Sequence, residues 1–202
     1  QEDAGWPDLP APRRYGRHQF ANAGVAIAAL RALGELELPA AAFETGIAKA
    51  DWPARMQRLT QGRLAALAPP GSGLWLGGGH NGDGGRAIAN ALADLEERVS
   101  RPLVLVVGML STKDCESFLK NFAGLARRIV AVPIPHQEKS FPAAVIADVA
   151  RAVGIPAQSS EDLAAALAVI GRFELEAPPR ILITGSLYLA GAVLNANAPP
   201  PG

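Results

Sequence analysis

The sequence predicts an α/β protein, a mostly parallel sheet with helices on both faces, preceded by a short helical segment. Two observations predict it. Short apolar runs at 74–76, 103–107, 129–132 and 181–184 alternate with stretches in which apolar residues recur at helical spacing, the pattern of repeated β-α-β units. Ala68, Pro69, Pro70, Gly71, Ser72 and Gly73 form the best linker in the chain, and the pattern changes character across it, which places a domain boundary between 1–68 and 69–202.

Taken in order, the first helix runs from His18 to Leu33, with Phe20, Ile27, Leu30 and Leu33 at helical spacing and Gly34 as its stop. A shorter helix carries Phe43 and Ile47 and is broken by Asp51, Trp52 and Pro53, which lead into the segment ARMQRL. After the linker, the strand 74–76 precedes a helix bearing Ile88, Leu92, Leu95 and Val99, then the strand 103–107. Asp114 is the expected N-cap of a helix with Phe118, Phe122 and Leu125, and the strand 129–132 follows it. One helix after Ser140 bears Val145, Ile146 and Val149, and another, opened by Ser159 or Ser160, bears Leu163, Leu167 and Ile170. The strand 181–184 and a helix over 187–194 complete the pattern, and the first dozen residues and the tail are rich in proline.

With 202 residues, 49% of them hydrophobic, the chain can bury the core of one domain plus a piece of another. Nineteen basic and nineteen acidic residues cancel, which argues against nucleic acid or an anionic membrane as partner and favours a small molecule. Charges, glycines and prolines keep every apolar run short of the roughly 20 residues that span a bilayer. The single Cys115 cannot form an intrachain disulfide and the start does not read as a secretory leader, so a cytoplasmic protein is expected. Because the sequence starts at Gln1 without a Met, a piece of a longer protein is expected as well.

Sheets of this kind bind ligands beyond the carboxyl ends of their strands, which directs attention to the loops after Leu76, Val107, Val132 and Thr184. In the first, GGGHNGDGG, residues Gly77, Gly79 and Gly82 satisfy G-x-G-x-x-G between a strand and a helix. A dinucleotide site would end its second strand near an acid for the ribose, whereas here that strand ends at Val107, Gly108 and Met109, which argues against this reading. No Gly-Lys pair occurs, so a G-x-x-x-x-G-K-[ST] phosphate cradle is absent from the sequence. His80 and Asn81 would project at the loop mouth, to bond a ribose, base or phosphate or else simply to cap the helix.

In the second loop, Ser111, Thr112 and Lys113 precede a helix N-terminus that attracts anions, with plain capping by Asp114 as the simpler reading. Gly185 and Ser186 turn the last strand into its helix. Arg55, held after Trp52-Pro53-Ala54, can present its planar fork to a phosphate, or be an ordinary solvated arginine. His18, Gln19 and Asn22 cluster at a helix start, and His136, Gln137, Glu138 and Lys139 occupy the third loop. Three separated histidines and one cysteine give no metal-ligand spacing, and Cys115, inside a helix without a histidine near in sequence, is not expected to be a nucleophile.

Five blocks, HQFANAGVAIAAL (18–30), WPARMQ (52–57), LWLGGGHN (74–81), LVVGMLSTKD (105–114) and ITGSLYLAG (183–191), resemble in order the folylpolyglutamate synthase/dihydrofolate synthase family of Mur ligases. They span nearly the whole chain beyond its first dozen residues. The resemblance implies that 1–68 is the end of a central ATPase domain and 69–202 a carboxy-terminal Rossmann-like domain. It further implies an ATP- and Mg2+-dependent ligase that activates a folate or pteroate carboxylate as an acyl phosphate, which the amine of L-glutamate then attacks. Asn22 would lie near the adenine, Arg55 would neutralise phosphate charge, and His80 with Asn81 would close over the nucleotide. The Lys113, Asp114 and Ser186 loops would face the incoming glutamate. The phosphate loop and metal ligands of the family would lie upstream, so this chain alone is expected to be inactive and the whole enzyme a cytoplasmic monomer.

Two departures from the family pattern stand out. An aspartate usually precedes the family's glycine-His-Asn run where this chain has Gly77, and the family's Pro-Gly-Arg is Pro53-Ala54-Arg55 here. Gly77 leaves open a non-catalytic binding domain derived from such a ligase.

Overall fold

The computed structural model describes residues 9–12, 16, 18–34 and 38–198, so the Pro-rich tail and most of the Pro-rich start lie outside the described residues. The chain divides into two compact units, Gln1–Pro53 and Ala54–Gly202. The first contains α1 (His18–Ala32) and α2 (Ala40–Lys49). Past the end of α1, Gly34 takes the left-handed φ of 62° that favours glycine. The Arg31 guanidinium lies 5.7 Å from the centre of the Phe43 ring, a cation–π contact between the two helices.

The second unit is built on six strands, β1 (Gln57–Leu59), β2 (Gly73–Leu76), β3 (Leu103–Val107), β4 (Ala126–Ala131), β5 (Ala157–Ser159) and β6 (Arg180–Thr184), in the order β1-β2-β6-β3-β4-β5. Between them run α3 (Arg63–Leu67), α4 (Gly82–Arg98), α5 (Cys115–Leu119), α6 (Ala143–Ala152) and α7 (Leu163–Ile170), and α8 (Leu187–Asn197) follows β6. All neighbouring strands are parallel except β1, which is antiparallel to β2. The expected mostly parallel sheet, covered on both faces, is therefore what forms.

Alternation along the central strands decides which helices cover which face. Leu103, Leu105 and Val107 of β3 pack with Ile88 and Leu92 of α4, Phe118 of α5 and Ile146 of α6. Val104 and Val106 point the other way, toward Leu163, Leu167 and Ile170 of α7 and Leu189 and Val193 of α8. Phe118 and Phe122, both fully buried, meet edge to face with ring centres 5.3 Å apart, a geometry that adds about 1 kcal/mol to their burial.

Several elements differ from the sequence reading. The helix opened by Asp114 stops at Leu119 and tightens into a 3-10 turn, Lys120–Phe122. The α7 cap is Asp162, whose side chain accepts the Ala165 N–H, because Ser159 is already paired with Ala131 in β5. The strands β1 and β5 and the helix α3 were not anticipated. Because β1 pairs with β2, the segment from Ala54 to Leu67 packs with the second unit, and the Pro-Gly-rich stretch lies inside that unit.

One buried arginine fixes the end of α4 remote from its glycine-rich start. Arg180, 5% exposed at the start of β6, donates to the carbonyls of Leu95 in the last α4 turn and of Val99 just after it, and to Glu96 Oε2 at 3.0 Å. Burial pushes the Glu96 carboxyl up, but bonds from Ser100, the Arg101 N–H and Arg180 outweigh it and hold the group below its ordinary 4.5. A depressed carboxyl contributes stability that is present above its unfolded-state value and lost as pH falls through its folded value. The melting-temperature gap between the wild type and Glu96→Gln should therefore be largest near neutral pH and close in acid. A gap constant from pH 7 to pH 3 would show that the charge of Glu96 does not matter.

Candidate functional site

The strand order creates a switch point. The chain leaves β2 and β3 toward α4 and α5 on one face, but leaves β6, which lies between them, toward α8 on the other. A crevice opens where neighbouring connections diverge in this way. Here three loops are stitched together by backbone hydrogen bonds. The Gly77 N–H donates to the Ile183 carbonyl at 2.9 Å, the Gly185 N–H to the Gly79 carbonyl at 3.1 Å, and the Gly108 N–H to the Thr184 carbonyl at 3.2 Å. The loop after β4 joins the edge through the Ser111 N–H, which donates to the Lys139 carbonyl at 2.8 Å.

Gly78 ties candidate His80 to the residue that precedes candidate Arg55. Its N–H donates to the Ala54 carbonyl at 2.6 Å, and its own carbonyl lies 3.2 Å from His80 Nδ1. A carbonyl only accepts, so Nδ1 carries the hydrogen and Nε2 is left as the nitrogen able to meet a ligand. Arg55, the residue after Ala54, is exposed. The turn that presents it is bent: Ala54 and Met56 both have left-handed φ, 58° and 49°, although neither is glycine.

Ala54 stands where the resemblance expects glycine, and the balance of terms shows why alanine is tolerated. Left-handed backbone costs alanine on the order of 1–2 kcal/mol. Glycine would relieve that but lose roughly 0.8 kcal/mol for a buried methyl and about 0.5–1 kcal/mol to its own unfolded-state freedom. Ala54→Gly should leave urea stability within about 1 kcal/mol of the wild type. A gain of several kcal/mol would mean that Ala54 is held in far greater strain than its φ implies.

The other candidates are placed as follows. Asn81 is exposed and caps α4, its Oδ1 accepting the Gly84 N–H at 2.8 Å, which leaves its Nδ2 amino group for a ligand. Lys113 is exposed, and the exposed Asp114 caps α5 through the Ser117 N–H at 2.9 Å. Ser186 is buried and caps α8 through the Tyr188 N–H at 3.1 Å. Asn22 lies on α1 in the first unit, where its Nδ2 donates to Gln19 Oε1 at 3.3 Å. Burial, with the Asp114 charge beside it, pushes the Cys115 thiol up to about 11, so it stays protonated at neutral pH and is no nucleophile.

Two residues escaped the sequence reading. Thr184 ends the otherwise apolar run of β6, and its Oγ1 is buried without a hydrogen-bond partner. A Cβ added at Gly77 would lie 3.5 Å from that oxygen and no closer than 3.4 Å to any other atom, so a side chain would begin there without a clash. Gln57 is the other; its Oε1 accepts the Ala54 N–H at 3.0 Å. Gln57 is marked only as the last residue of the WPARMQ block, whereas a threonine closing the apolar run 181–183 is a readable signal.

The glycine-rich loop, His80 Nε2, the Asn81 amino group and the Arg55 guanidinium are the polar groups these loop ends can offer a ligand. Among the described residues no group of three or more His, Cys, Asp or Glu is placed to hold a metal. Among the same residues no helix is long and apolar enough to cross a membrane.

Comparison with known proteins places this architecture. Residues 62–187 match the family described as Mur ligase, glutamate ligase domain. The chain is similar to the folylpolyglutamate synthase of Lacticaseibacillus casei, 28% identical over 196 residues that make up 95% of this chain and 41% of that protein. It also resembles the crystal structure of Mycobacterium tuberculosis folylpolyglutamate synthase complexed with ADP and AMPPCP, with TM-score 0.77, 24% identity, and coverage of 98% of this chain and 43% of that one. The bifunctional folylpolyglutamate synthase/dihydrofolate synthase of Yersinia pestis, complexed with AMPPNP and a Mn ion, matches with TM-score 0.74, 23% identity, and coverage of 96% and 42%. The chain thus spans less than half the length of the proteins it matches.

Proposed function

Because this chain belongs to the Mur ligase family, of which it carries the glutamate ligase domain, we propose that it is the carboxy-terminal part of an ATP-dependent ligase joining L-glutamate to dihydropteroate, to folylpolyglutamate, or to both. The observation that carries this reading is that Gly78, in the glycine-rich loop at the switch point, bonds both His80 and the carbonyl of Ala54, the residue before Arg55. The similarity to a folylpolyglutamate synthase and the nucleotides bound by the solved relatives support it.

In this reading the first unit, Gln1–Pro53, comes from the end of the central ATPase domain and the second unit, Ala54–Gly202, carries the glutamate ligase domain. ATP with Mg2+, when bound, supplies the phosphoryl group that activates the substrate carboxylate, and the metal ligands belong to the part of the protein upstream. Arg55 offers the two parallel N–H donors of its guanidinium to phosphate oxygens, stabilising charge that grows during transfer. His80, with its Nδ1 hydrogen fixed by the Gly78 carbonyl, and Asn81, through its Nδ2, orient the nucleotide. Lys113 attracts the carboxylates of glutamate, and Asp114 and Ser186 shape the loops around it by capping α5 and α8. The whole enzyme is a cytoplasmic monomer, and the isolated chain does not turn over.

The test is ADP release by the natural full-length protein with ATP and magnesium, with and without glutamate, and with dihydropteroate or tetrahydrofolate. Release that requires both glutamate and a pteroyl substrate supports the ligase; none from a folded protein sinks it. A second reading, a non-catalytic binding domain derived from such a ligase, is favoured by Gly77, which leaves the Thr184 hydroxyl facing a place where a side chain would fit.

A further inference from the structure

We infer that Gln57 is a positioning residue that holds Arg55 in the geometry its phosphate role needs, an inference that rests on the ligase reading above. Left-handed φ at a non-glycine residue costs on the order of 1 kcal/mol and persists only where the surroundings over-determine it. Among the described residues three non-glycines adopt it, and two of them, Ala54 and Met56, flank Arg55.

The surroundings of this turn identify what holds it. Ala54, 4% exposed, is buried with Leu59, Leu64 and Leu76, while Met56, 5% exposed, is buried in the other core cluster with Trp75 and Ile88. The two neighbours of Arg55 are therefore anchored in different clusters, and Arg55 stands exposed between them. On the backbone, the Ala54 carbonyl accepts the Gly78 N–H, which ties the turn to the glycine-rich loop. The Ala54 N–H donates to Gln57 Oε1 at 3.0 Å. Gln57 is itself fixed, because its backbone lies opposite Leu76, the last residue of β2 before that loop.

Gln57 thus closes the turn from a rigid strand, with its side chain taking the place of a backbone acceptor. Without that oxygen the N–H of a buried residue loses its partner, and the turn can relax toward ordinary φ values. Such a relaxation displaces Arg55, and misplacing a reacting group by about 1 Å can lower a rate roughly 100-fold. The role needs only an acceptor at the end of a side chain of glutamine's length. Glutamate supplies one, leucine has none, and asparagine is one methylene too short.

The experiment uses the full-length enzyme in the glutamate-dependent ADP-release assay. Gln57→Leu is expected to lower kcat about 30- to 100-fold while the KM for the pteroyl substrate stays within about 3-fold, and Gln57→Glu to recover kcat to within about 3-fold of wild type. In an Arg55→Ala background, Gln57→Leu should cause no further loss, because it acts through the arginine. If Gln57→Leu does not fold, Gln57→Asn carries the same expectation with less change in shape. Wild-type kcat in a folded Gln57→Leu or Gln57→Asn protein, or losses that multiply with Arg55→Ala, would overturn the inference alone. A folded wild-type enzyme without glutamate-dependent ADP release would overturn the ligase reading, and this inference with it.

Discussion

Gly185→Ala is expected to lower the unfolding free energy by about 3 kcal/mol, because strain and a backbone clash act together at that position. Gly185 has φ of 106°, outside what an L side chain accepts, and a Cβ there would come within 2.7 Å of the Gly108 carbonyl oxygen and 2.8 Å of Met109 Cγ. The methionine can swing aside, but the Gly108 carbonyl belongs to the loop whose N–H is bonded to Thr184. Relief therefore requires the β3 and β6 ends to separate, opening the junction on which the crevice depends. Urea unfolding of the isolated chain measures the effect. Gly124→Ala is the control, since Gly124 also has positive φ, 77°, but its Cβ would meet nothing within 4 Å. That variant should lose only about 1 kcal/mol. Equal losses in the two would mean that the loop junction yields freely and that only backbone strain matters.

On the ligase reading proposed above, Arg55→Ala in the full-length protein is expected to lower kcat by roughly 100- to 1,000-fold with a much smaller change in the KM for the pteroyl substrate, because phosphoryl charge develops chiefly during reaction. The fold should not suffer in parallel. Arg55 is exposed, and its neighbours Ala54 and Met56, which bury their side chains, are untouched. The variant should thus stay within about 0.5 kcal/mol of wild-type stability, as surface substitutions usually do. Steady-state kinetics and urea unfolding on the same preparation separate the cases. Unchanged kcat would show that the arginine is structural, and parallel losses of stability and rate would point to the turn rather than to the charge.

Gly77 lies at the same junction of strand ends, its N–H bonded to the Ile183 carbonyl of β6. The buried Thr184 hydroxyl would lie 3.5 Å from a Cβ at this position, so a side chain there would meet it.

The central strands were legible because their signal is local. β2, β3 and β6 lie with both faces covered, so they are almost wholly apolar and stand out as runs in any reading of the chain. The long helix α4 was legible for a similar reason: Ile88 and Leu92 repeat at the spacing that keeps one stripe against the sheet, and Asn81 stands at its cap. The edge strands were not. β1 reads Gln57-Arg58-Leu59 and β5 reads Ala157-Gln158-Ser159, three residues each with little apolar content, and each exists because a neighbouring strand offers its free N–H and C=O groups.

For the site, residue types and loop positions were readable, but their company was not. His80, Asn81 and the glycine-rich loop could be assigned to the end of a strand from sequence alone. That Ala54, the residue before Arg55, shares Gly78 with His80 could not, because Ala54 and Gly78 meet only once β1 has paired antiparallel with β2. The same holds for Gln57 and for the left-handed bends at Ala54 and Met56, which follow from long-range anchoring against local preference. By itself the sequence determined the class of fold, the strands and helices of its interior, and the loops that face a ligand, since apolar periodicity and capping residues act over a few neighbouring positions. Tertiary structure alone decided that β6 inserts between β2 and β3 and that Arg55 belongs with the glycine-rich loop, because strand order and turn strain are set by hydrogen-bond partners far away along the chain.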